Sequence, residues 1–200
     1  MRLFFSSGCP YAQRTRALLA VLQQPFDSEE VDLANKSPAF LALSPTGAVP
    51  LLEDGDFVLF ESAVVNEYLA EKYAWADAFP PGARARAQHR LAMKRFDDVV
   101  APLFFRSLRD ATAPDAHPTW RREVDYLGAR LADAHPRSLL GLHLATFWQR
   151  MTWVRPDAQV VQALRAAGGD FLDAAAAQPE LLATAPDRET TVRELLKRFG

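Results

Sequence analysis

A chain of 200 residues, 49% apolar and 24% charged, can bury a sizeable core in one domain or in two small ones. A formal net charge of −2 offers no bulk field for a polyanion, so no nucleic-acid partner is expected. No run reaches the length of a membrane span, and the apolar run after Met1 is too short for a signal-peptide core. With a single cysteine, this describes a cytoplasmic protein with no membrane partner.

The elements alternate in the first part of the chain. Arg2 to Ser6 reads as a short buried strand, and Pro10 to Gln23 as an amphipathic helix with Leu18, Leu19 and Leu22 on one face. Phe26 to Val31 reads as a second strand and Ser37 to Leu43 as a short helix. Ser44-Pro45-Thr46-Gly47 is turn chemistry. Val49 to Glu53 and Phe57 to Phe60 flank Asp54-Gly55-Asp56 as a hairpin, after which Ser62 caps a helix reaching about Tyr73. The order β-α-β-α-β-β-α opens with a strand–helix–strand crossover, so part of the sheet is expected to be parallel.

Pro80-Pro81-Gly82 marks a linker, and no strand is expected beyond it. Residues 83–109 have helical periodicity through Leu91, Phe96, Val100, Leu103 and Phe104, bent at Pro102. Further helices are expected over Pro118 to Ala134, Ser138 to Trp153 and Asp187 to Phe199, with breaks at Pro156 and Gly168-Gly169. The fold class is therefore an α/β domain over residues 1–76 followed by an all-helical domain over residues 83–200. Residues 1–77 hold 5 Lys/Arg against 11 Asp/Glu and the remainder 18 against 14, that is −6 and +4, which fits two segments. His89, His117, His135 and His143 are scattered and give no zinc spacing, so no metal is expected.

Three positions carry candidate chemistry. Cys9 ends an apolar strand and precedes Pro10, which suits the first position of a helix. The N–H groups of a helix start stabilise a thiolate, the reactive form, although a buried structural thiol is the open alternative. Val49-Pro50 begins a strand. A cis bond there would leave the Val49 backbone available to an extended ligand, whereas trans is the commoner state. Glu61-Ser62 opens a helix. The serine and nearby N–H groups suit a carboxylate and Glu61 an ammonium, the two groups of an amino-acid end, with plain capping as the alternative.

Taken in order, Cys9-Pro10-Tyr11-Ala12-Gln13-Arg14-Thr15-Arg16, then Gly47-Ala48-Val49-Pro50-Leu51-Leu52-Glu53, then Phe60-Glu61-Ser62-Ala63 with Glu67-Tyr68-Leu69 resemble the thioredoxin-like domain of the glutathione transferase superfamily. The cysteine, and Asn35-Lys36 after Asp32-Leu33, look most like the omega class. The resemblance is strong over residues 1–75 and looser beyond. It implies glutathione as co-substrate, Cys9 as nucleophile, and Val49 with a cis Pro50 against the cysteinyl part. Glu61 and Ser62 would hold the γ-glutamyl end and Lys36 the glycyl end. Tyr11, Phe104 and Arg106 are candidates for a second-substrate pocket. It also implies a homodimer acting as a thiol transferase or reductase on an electrophilic or disulfide substrate. The other reading is a non-catalytic regulatory protein similar to the stringent-starvation proteins, whose character the stretch Ala83 to Arg90 shares. One departure concerns the second domain. Many members carry Ser/Thr-x-x-Asp at a central helix start, and Ser138-Leu139-Leu140-Gly141 has glycine at the last place, which predicts a looser start.

Overall fold

The computed structural model describes residues 1–109 and 119–199. Its first strand, β1 (Arg2–Phe5), buries Leu3 and Phe4 and feeds α1 (Pro10–Val21). The chain continues as β2 (Asp27–Glu30), α2 (Pro38–Leu43), β3 (Leu51–Asp54), β4 (Phe57–Phe60) and α3 (Ser62–Lys72). The sheet order is β2-β1-β3-β4. β2 lies parallel to β1, as the crossover requires, while β3 and β4 run antiparallel to their neighbours. This is a thioredoxin-like arrangement.

β2 is shorter than the strand expected over Phe26 to Val31. All four of its residues are exposed, because it forms the sheet edge, where charged side chains discourage pairing with other chains. Arg2 of β1 binds Glu53 at 2.8 Å and Glu29 at 3.5 Å, tying three strands together on the surface. α1 is not amphipathic. Gln13, Arg14 and Thr15 are as buried as Ala12, Ala17, Leu18 and Leu19. Their polar groups need partners, since an unpaired buried donor is costly. Thr15 Oγ1 donates to Asn66 Oδ1 of α3 at 2.8 Å. Gln13 Nε2 donates to the Leu181 carbonyl at 3.2 Å.

Leu181 belongs to α9 (Pro179–Thr184), a short helix not separated in the sequence reading. The chain forms two compact units, and Pro179–Ala185 belongs with Met1–Ala76 in the first of them.

In the second unit, Asp77–Gln178 and the chain from Pro186 onward, every regular element among the described residues is a helix. The long helix expected over residues 83–109 is α4 (Ala83–Arg95), a π-helical turn (Phe96–Val100) and α5 (Ala101–Ser107). The turn widens just before Pro102, whose missing N–H cannot bond the carbonyl four residues back, and Ala101 N–H instead reaches Phe96 O. α6 (Trp120–Leu131) is shorter than expected, and His117 and Pro118 lie outside the described residues. α7 (Leu139–Val154) is the central helix, with Leu139 through Met151 all buried. α8 (Gln159–Ala176) is interrupted at Gly168, as expected, by a non-helical residue that kinks it, and a Cβ there would lie 2.5 Å from Leu131 Cδ1 of α6. In α10 (Arg188–Phe199), Asp187 Oδ1 accepts the Thr190 N–H at 2.8 Å.

The start of α7 is not loose. Ser138 Oγ accepts the Gly141 N–H at 3.3 Å. The short segment before it is tightened by Ser138 N–H to His135 O at 2.9 Å. That segment lays the Pro136 carbonyl over Gly141, where a Cβ would sit 1.9 Å from the oxygen. Glycine is required by this approach.

Candidate functional site

Cys9 is the residue before the first turn of α1, extended at φ −78° and ψ 118°, with Pro10 following. A turn closed by Cys9 N–H to Ser6 O at 3.0 Å aims it, and Gln13 N–H bonds the Cys9 carbonyl at 3.0 Å. The half-buried thiol packs against an apolar cluster of Phe4, Ala12, Val31, Phe40, Val49 and Leu51. Its Sγ donates to the Val49 carbonyl across 3.7 Å. Two influences therefore meet at the sulfur. The helix start favours the thiolate, and the carbonyl acceptor favours the thiol.

Val49 is buried and its peptide bond to Pro50 is cis. The preceding turn is held at Gly47, whose φ of +62° favours glycine. A Cβ on Gly47 would lie 3.4 Å from Lys36 Nζ. The structure thus brings Lys36, the Gly47 turn and, through Val49, Cys9 onto one stretch of the domain.

Ser62 is the first residue of α3, and Glu61, not Ser62, occupies the capping position. Glu61 is exposed at φ +70°, a conformation costly for a residue with a side chain, and makes no side-chain cap. Ser62 Oγ is buried and accepts from Arg14 Nη1 at 3.2 Å. With its oxygen accepting from Arg14, the hydroxyl proton remains to be given to an acceptor at the helix start. Arg14 was absent from the sequence-derived set. Its guanidinium also stacks over the Tyr11 ring at 4.8 Å. The only hint in the sequence is the polar run Gln13-Arg14-Thr15 inside a helix that must pack on a sheet. Tyr11 is half-buried two residues past Cys9. Phe104 is fully buried in α5 and offers no surface to a ligand, so it is removed from the candidate pocket. Arg106 is exposed on the same helix. Among the described residues no group of three His, Cys, Asp or Glu gathers to hold a metal, and no helix is long and apolar enough to cross a membrane.

A thiol before the first turn of α1, beside a cis-proline strand start, defines a thioredoxin-like domain built around one cysteine. Residues 3–81 match the family model of the glutathione S-transferase N-terminal domain. The chain is 32% identical to the pyrimidodiazepine synthase of Drosophila melanogaster over 124 residues, which cover 60% of this chain and 49% of that protein. It is 29% identical to glutathione S-transferase omega-1 of Mus musculus over 156 residues, 76% of this chain and 64% of that one. A stringent starvation protein A homolog of Pasteurella multocida is 31% identical over 116 residues, 58% of this chain and 55% of that one. The matched part spans about half the length of the first of these relatives. In fold, the chain is similar to glutathione transferase Omega 1C from Trametes versicolor, with a TM-score of 0.79, 22% identity and coverage of 99% of this chain and 95% of that one.

Proposed function

We propose that the protein is a glutathione-dependent thiol transferase or reductase with Cys9 as its nucleophile. The observation that carries this reading is the placement of Cys9 Sγ at a helix start, 3.7 Å from the Val49 carbonyl. An extended peptide that pairs with the Val49 backbone takes that carbonyl as its own acceptor. The thiol then loses its partner, and the helix start favours the thiolate. Glutathione fits, with its γ-glutamyl end at Ser62 and Glu61 and its glycyl carboxylate at Lys36.

The Cys9 thiolate attacks the glutathione sulfur of a mixed disulfide. A Cys9–glutathione bond forms, the substrate sulfur leaves with the electron pair of the broken bond, and it takes up a proton. A second glutathione thiolate attacks that bond, releasing glutathione disulfide and restoring Cys9. The sequence contains one cysteine, so resolution falls to glutathione. The second substrate meets Tyr11 first. A reducing, cytoplasmic setting keeps the thiol available, and we take the working form to be a homodimer. Reduction of a glutathione mixed disulfide tests the reading. Wild type should catalyse it and Cys9→Ser should not; activity intact in Cys9→Ser would refute the mechanism.

A second reading is a regulatory protein on the same scaffold, favoured by the similarity to stringent starvation protein A homologs. α4 begins with exposed arginines, Arg84, Arg86 and Arg90, that suit an acidic protein surface. Absence of glutathione binding at millimolar concentration would select this reading.

A further inference from the structure

We infer that Glu30, an exposed residue at the end of the edge strand β2, is a positioning residue for the Cys9 thiol. The inference rests on the reading of Cys9 as the reactive group. The turn Ser6-Ser7-Gly8-Cys9 is closed from inside by the Cys9 N–H to Ser6 O bond of 3.0 Å. Closure alone fixes the width of the turn and leaves its tilt against the sheet undetermined. Glu30 supplies the second fixed point. Its Oε1 accepts the Ser7 backbone N–H at 3.0 Å, and the Ser7 hydroxyl donates to the same carboxylate. These bonds hold the Glu30 carboxyl below the usual range.

The base of this support is rigid. Glu30 stands opposite Phe5 in the parallel register, and Val31 N–H bonds Phe5 O at 2.7 Å. Arg16 of α1 stacks on the Phe5 ring at 4.6 Å, donates to Thr184 O at 3.2 Å and places its charge near Glu30. The turn before the thiol is thus braced between the sheet edge and the helix that begins at Pro10. A carboxylate near a thiol opposes its ionisation. Loss of the charge alone therefore predicts alkylation no slower than wild type, and loss of the support to Ser7 predicts slower alkylation, so the two effects separate when the side chain is changed.

The rate of Cys9 alkylation by iodoacetamide separates the two and needs no glutathione. Glu30→Gln keeps an acceptor for Ser7 N–H and discards the charge; Glu30→Ala discards both. Alkylation should slow about five-fold in Glu30→Ala and recover to the wild-type rate or above in Glu30→Gln. The exposed side chain contributes no core packing, so both variants should fold, with Glu30→Ala losing only the small stability of its Ser7 hydrogen bonds. Alkylation in Glu30→Ala as fast as wild type, or equal slowing in both variants, would overturn the assignment. Failure of wild type to reduce a glutathione mixed disulfide would instead count against the functional reading, and leaves this comparison intact.

Discussion

Replacing Gly141 by aspartate would complete the Ser-x-x-Asp box that related chains carry, and on sequence grounds should stabilise α7. The structure predicts the reverse. The new Cβ would stand 1.9 Å from the Pro136 carbonyl oxygen. Ordinary contact lies near 3.5 Å, so one of two backbones must move by about 1.5 Å. Overpacking of this kind costs about 1–3 kcal/mol, and the upper end applies where backbone meets backbone. The displacement also breaks the 3.3 Å bond from Gly141 N–H to Ser138 Oγ, a cap worth about 1 kcal/mol. An acidic group in the first turn returns about 0.5–1 kcal/mol. The net loss is about 2–3 kcal/mol, a fall in melting temperature of about 6–9 °C for a chain of this size. Far-UV circular dichroism melts would read it, with Gly141→Ala as the control that has the Cβ and no charge. Aspartate melting at or above wild type would refute the reasoning.

Lys36→Ala should weaken glutathione binding by about 1–3 kcal/mol, measured by calorimetry in the Cys9→Ser background. Wild type should prefer glutathione to its glycyl ethyl ester, and Lys36→Ala should lose that preference. The Asp54 carboxyl is held below its usual range by hydrogen bonds from Lys72 and from Tyr68, the latter at 2.6 Å. A depressed carboxylate contributes stability that is complete above its unfolded value of about 3.9 and is lost as pH falls through the lower folded value. Urea midpoints should therefore decline in acid below about pH 4, and Asp54→Asn should flatten that limb.

The order of strands and helices was legible because local signals agree: Cys9-Pro10 at a helix start, Asp54-Gly55-Asp56 in a hairpin, Pro80-Pro81-Gly82 after the sheet. The groups that brace the site were not. Arg14 finds Ser62 at 48 residues' separation and Gln13 finds Leu181 at 168, so nothing near either residue announces that it is buried. Ser62 looked like a cap because serine usually is one. Its oxygen instead accepts from a guanidinium, and the capping position falls to Glu61, which makes no side-chain cap and has an unusual backbone conformation. Gly141 read as a missing aspartate because a sequence shows which side chain is absent and not which carbonyl occupies its space. Phe104 lies on the buried face of α5, and periodicity on a helix does not distinguish a core face from a binding face.

α9 changes what it means for the first unit to be finished. Gln13 and Arg16, on the helix that follows the thiol, hydrogen-bond to the carbonyls of Leu181 and Thr184. On the ribosome those acceptors emerge long after α1, at a separation of 168 residues in both pairs, so a nascent α1 lacks these two bonds until then. A fragment ending at residue 76 would hold every strand of the sheet and still lack the last partners of its thiol-bearing helix. The helix that follows the cysteine is thus anchored in part by a segment encoded far downstream of the sheet.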